Sequence, residues 1–159
     1  MYLQEYTDYW EGLIAQHAKI KQFYRLNFEE VKDALKEDII YPVLVLDDYY
    51  GEIVSSPNGS KYMDLQHGSI MLLDIFAIQD YNDENDRLSK LKAYGFGLFA
   101  KILEDINTEN CPRLLLDLQP KSIKYQPVPY VTEHVRGWIF EFDFLDRAEE
   151  FIVNPNDWN

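Results

Sequence analysis

From residue 138 to residue 145 the chain alternates without a break. Trp138, Phe140, Phe142 and Phe144 fall on one side of an extended backbone, and Ile139, Glu141, Asp143 and Leu145 on the other. Four large rings in a row need an apolar layer to pack against. The two acids on the opposite side need water or partners. A chain with this segment is committed to a sheet that turns one face to a core.

The rest of the sheet is read from apolar runs. Residues 63–79 can form one long strand, apolar on both sides around 70–78, which places its middle in the centre of a sheet. Residues 39–46 are rich in β-branched side chains and read as a buried strand, with Pro42 at its start or on an edge because it lacks an amide donor. Between them, residues 47–64 hold Gly51, Pro57, Asn58 and Gly59, which gives an exposed loop or a hairpin turning near 57–59. Residues 114–118 are a short apolar run. Residues 122–130 suggest a further, interrupted strand whose end Pro127 and Pro129 push to an edge or a loop.

Three segments carry helical spacing. Over residues 3–22, Leu3, Tyr6, Tyr9 or Trp10, Leu13, Ile14, His17 and Ile20 recur at three and four, with Gly12 costing about 1 kcal/mol relative to Ala. Asn27 and Glu30 can cap a short helix whose apolar side is Phe28, Val31 and Leu35. Asp83 or Asn85 can cap a long helix running to Asn107, with Leu88, Leu91, Gly95, Leu98, Phe99, Ile102, Leu103 and Ile106 as its stripe. Gly95 and Gly97 would thin it where it crosses the sheet. The expectation is one α+β domain over residues 1–145, followed by a C-terminal arm over 146–159. Its sheet would be antiparallel or mixed, of about four strands, with helices packed on one face.

Charge and composition exclude several functions. The chain has 159 residues, 28 acids against 15 bases, and a formal charge of −13. That argues against a general phosphate-neutralising surface and against a polybasic membrane anchor. No apolar run approaches a membrane span, and residues 1–5 lack the basic-then-apolar order of a signal peptide. The lone Cys111 cannot form an internal disulfide. His17, His67 and His134 are far apart and form no metal-binding spacing, so a structural role is the simpler reading for each. No phosphate-binding loop, nucleophile elbow or dinucleotide fingerprint occurs, and no cofactor is expected. Asp47 and Asp48 follow a strand, where carboxylates can bind metal, with Glu52, Asp64 and Asp74 in reserve. Among 28 acids such clusters also arise by chance.

Taken together, the order of elements resembles a family. An amphipathic N-terminal helix, the segment from Phe28 to Leu35, the strand Tyr41-Pro42-Val43-Leu44, a long strand, a long helix and the closing Gly137-Trp138-Ile139-Phe140-Glu141-Phe142 follow in turn. Over residues 5–145 this resembles the small tail terminator or tail-completion proteins of long-tailed bacteriophages. The resemblance implies a structural virion protein without catalytic residues. It would be made in the host cytoplasm and built into the tail and neck. Such proteins form a ring, commonly a hexamer, at the head-proximal end of the tail tube and join it to the neck. The implied partners are other copies of the chain, the tube and the connector proteins, with DNA only as passing cargo and no membrane.

A closed ring needs two different complementary surfaces on each subunit. Asp47, Asp48, Tyr49, Tyr50, Tyr62 and Trp158 are the expected interface residues. Aromatic side chains in a loop favour protein contact, because they give much area for little entropy; alternatively Tyr49 and Tyr50 cover the end of the core. A sheet edge or the arm 146–159 would supply the second surface. Two other functions fit the sequence less well: an acidic DNA mimic or inhibitor, and a metal-dependent hydrolase built on Asp47, Asp48 and Asp74.

Overall fold

The computed structural model describes residues 3–25, 39–56, 58, 59, 61–108, 110, 117–148 and 155–157. In chain order the elements are α1 (Leu3–Ala15), β1 (Gln22–Arg25), β2 (Val43–Leu46), β3 (Tyr50–Ser55), β4 (Tyr62–Ile75), α2 (Tyr81–Asn107), β5 (Lys124–Thr132) and β6 (Val135–Arg147), with short 3-10 turns at Pro120–Ser122 and Pro155–Asp157. The expected short helix around Phe28, Val31 and Leu35 lies outside the described residues, as do Cys111 and Trp158.

β4 and β6 form the spine of a mixed sheet. They run antiparallel from Met63 opposite Arg147 to Ile75 opposite Val135. β5 flanks β6 and forms one edge, where the missing donors of Pro127 and Pro129 are tolerated. On the other side of β4 two strands follow one another. β2 pairs with its C-terminal half and β3 with its N-terminal half, and β1 lies parallel to β2 beyond. The sheet therefore has six strands, not about four. β3 emerges from the segment that left loop and hairpin open. β1 was not expected: the helical spacing read over residues 3–22 ends where the strand begins, and the strand's four residues show no period of their own.

That helix ends early for a local reason. The His17 ring accepts the amides of Lys19 and Ile20 at 3.1 and 3.0 Å, so those donors no longer seek carbonyls one turn back. The chain turns, and Ile20 still reaches the core. The long strand stops at Ile75, four residues short, and Gln79 adopts a left-handed φ of 62° before α2 begins. α2 is capped by Asp80, whose side chain accepts the amide of Asp83 at 3.0 Å, rather than by Asp83 or Asn85.

The buried residues of both described helices join one face of the sheet. Tyr6, Trp10, Leu91, Leu98, Phe99 and Ile102 pack with Leu44, Leu46, Ile70, Leu72, Phe140, Phe142 and Phe144. Gly95 lets α2 settle on the Phe140 ring, while Gly97 faces open space. Trp138 sits at the rim and donates its indole N–H to the Leu88 carbonyl at 2.7 Å. The other face holds a smaller apolar cluster of Val43, Val45, Met71, Leu73, Val128 and Val135.

Candidate interaction surface

Of the expected interface residues, Asp47, Asp48, Tyr49 and Tyr50 fall around one joint in the sheet; Tyr62 lies at the other end of β3, opposite Ser55, and Trp158 is outside the described residues. Leu46 stands opposite Ile70 and Tyr50 opposite His67. Three residues, Asp47, Asp48 and Tyr49, therefore face two, Gly68 and Ser69, which makes a one-residue bulge. Strict alternation after Leu44 and Leu46 would aim Asp48 at the core. The bulge puts Tyr49 there instead, its ring 5.2 Å from Tyr6 and 5.6 Å from Phe144. Asp48 turns out and pairs with the Arg25 guanidinium at 2.8 Å. Burial holds the Asp47 carboxyl above its usual value, although the Asp48 amide donates to it at 2.9 Å. So Tyr49 closes the core, whereas Tyr50 is 72% exposed.

Beyond the bulge run β3 and the facing parts of β4 and β6, and among their described residues Phe144, opposite Gln66, is the one that belongs to an apolar cluster. We call this three-stranded projection the tongue. Among its described residues Ile53 is 46% and Tyr62 57% exposed. The register puts Ile53 and Tyr62 on one face and Tyr50 on the other.

Local sequence carries no sign of the group beneath Tyr50. His67 Nδ1 lies 2.6 Å from Asp143 Oδ1, its Nε2 lies 3.8 Å from Glu52 Oε1, and the Tyr50 ring is 4.9 Å away. These residues border a shallow cleft of about 260 Å³ that also includes Ser69, Ser122, Lys124 and Glu141. A serine, a histidine and an aspartate share the cleft, but the Ser122 hydroxyl donates to the Gln119 carbonyl at 2.7 Å and accepts the Asp143 amide at 2.7 Å. Among the described residues neither cleft serine is hydrogen-bonded to the imidazole. What the group does is tie β3, β4 and β6 together across the tongue. His67 and Asp143 are 76 residues apart, so only the register of β4 with β6 reveals the pair.

A second exposed aromatic patch lies on the opposite edge of the sheet. Phe96 of α2 and Tyr125 of β5 are 48% and 46% exposed and meet edge to face at 5.2 Å. Tyr125 also touches Trp138, and the Lys92 ammonium lies 5.7 Å from the Trp138 ring centre. The available signal was that Phe96 falls off the buried stripe of its helix.

Asp74 does not join Asp47 and Asp48. It sits at the far end of β4, beyond the pair Val43 and Leu73, so the whole of β2 separates them. Among the described residues no group of three His, Cys, Asp or Glu side chains is arranged to hold a metal ion, and no helix is long and apolar enough to cross a membrane. No family model matches the chain, and a comparison with curated proteins finds no match either.

Proposed function

We propose that the chain is a structural assembly subunit of a tailed bacteriophage. It would form a ring of about six copies at the head-proximal end of the tail tube and join that tube to the neck. The observation that carries this reading is the tongue. Among the described residues its β3 strand pairs with β4 alone and leaves its side chains largely exposed, so it is weakly held on its own. The tongue presents Tyr50, Ile53 and Tyr62 to solvent. Exposed large apolar groups on an otherwise acidic surface mark protein contact. The second aromatic patch, on the opposite edge, supplies the other surface that cyclic assembly requires. The net charge of −13 suits a channel through which DNA passes without being retained.

In this reading the chain acts by position and contact. It caps the tube, offers a platform to the neck proteins, and holds no cofactor. The test is reconstitution with the tail-tube protein of the same phage. The expected result is tubes of defined length carrying the chain as a ring at one end. Tubes that elongate without limit, with the chain unattached, would refute the role.

A further inference from the structure

The two exposed aromatic patches differ in charge, and the difference is systematic. β3 and the bulge before it carry Asp47, Asp48 and Glu52 and no Lys or Arg; Asp48 is paired with Arg25, Glu52 shares the Tyr50 face, and Asp64, opposite Ile53, is the acid on the face of Ile53 and Tyr62. The patch on the opposite edge is built from two stretches without a single acid. Residues 87–103 of α2 hold Arg87, Lys90, Lys92 and Lys101, and residues 118–132 hold Lys121 and Lys124. Among the described residues Lys92, Lys121 and Lys124 enter no ion pair. Lys124 stands opposite Glu141 on the face of β5 away from Tyr125, so the ledge's own cation is Lys92; in a chain where acids outnumber bases 28 to 15, an aromatic ledge carrying a lysine that enters no described ion pair is a local reversal.

We infer that the ledge formed by Phe96, Tyr125 and Lys92 receives the tongue of a second copy of this chain, with Ile53 and Tyr62 as the apolar contact. The inference rests on the assembly reading above and specifies its surfaces. The strand order puts tongue and ledge on opposite sides of the β4–β6 spine. A tongue seated on a ledge therefore leaves the second copy's own tongue free for a third. That is a head-to-tail contact, which repeats until it closes. Opposite charges steer the two patches together, and like charge discourages tongue-to-tongue pairing. Pro127 and Pro129 remove two backbone donors from β5, so the contact is made by side chains rather than by extending the sheet.

The experiment uses two full-length variants, Ile53→Asp on the tongue and Phe96→Asp on the ledge, with circular dichroism to check folding. Lys92→Glu replaces Phe96→Asp if that variant does not fold. Masses are measured by light scattering for the wild type, for each variant and for their equimolar mixture. The wild type assembles, while each variant alone needs at least about tenfold more protein to do so. The mixture forms a two-chain complex and stops there, because only one intact tongue meets one intact ledge. A ledge variant that assembles like the wild type, or a mixture that stays monomeric, overturns the inference while the assembly reading stands. A ledge variant that assembles normally but loses affinity for single-stranded DNA reassigns the ledge to nucleic acid. A wild type that is monomeric at every concentration overturns the assembly reading and the inference together.

Discussion

Glu84 is almost fully buried, yet its carboxylate faces matched partners. Arg136 Nη1 donates to it at 2.8 Å, and the Tyr130 hydroxyl donates at 2.8 and 3.0 Å. Arg136 also donates to the Val128 carbonyl and lies over the Tyr130 ring. The Arg136 hydrogen bond is the main reason the Glu84 carboxyl titrates below its usual value. Its contribution to stability is therefore present above the ordinary carboxylate range and lost as pH falls through the depressed value. Glu84→Gln should cost about 1–3 kcal/mol at pH 7, and urea melts should show the gap to wild type narrowing at acid pH. Asp74 has the opposite sign. Burial raises it, despite the Ile75 amide and the Arg87 guanidinium beside it. Its protonated form is favoured in the fold, so its contribution fades as pH rises through the raised value. Asp74→Asn should be more stable than wild type at pH 7, by up to about 1 kcal/mol, and equal to it in acid. Gly95 and Gly97 offer a further contrast. A methyl group at Gly95 meets the fully buried Phe140 ring, whereas one at Gly97 meets nothing. Gly95→Ala should cost about 1–3 kcal/mol, and Gly97→Ala should gain about 0.5–1 kcal/mol, both read as shifts in melting temperature.

Among the elements, the tongue differs most from its surroundings. Its β3 strand is held by one neighbour, β4, and by the His67 group, and its side chains are largely exposed. In isolated subunits its amides should exchange with solvent far faster than those of β6. Assembly should slow them by an order of magnitude or more, read by hydrogen–deuterium exchange. Elements with a sustained period were legible in the sequence. β6 keeps its alternation through Phe140, Phe142 and Phe144, and α2 keeps its stripe through Leu91, Leu98 and Ile102. β1 was not legible, since three half-buried residues and one exposed one give no period of their own. Tyr50 and Tyr62 could be placed in an exposed segment. Separating Tyr50 from Tyr49 required the bulge, which depends on the register with β4 and not on local sequence. The same holds for His67 and Asp143, and for Phe96 meeting Tyr125 across two elements.

At the scale of the whole molecule, one asymmetric sheet accounts for the fold and for the proposed role. Its spine is sealed by helices on one face. One edge projects as an acidic tongue, and the other is a basic aromatic ledge. Charge of both kinds at these edges would make the proposed assembly depend on salt, since exposed pairs are screened beyond about 10 Å at 0.1 M. The most direct test of the account is the solution mass of the wild-type chain by light scattering across concentration, with negative-stain images of any large species. The account predicts a closed ring of about six copies with a central hole. A monomer at every concentration and salt would contradict it.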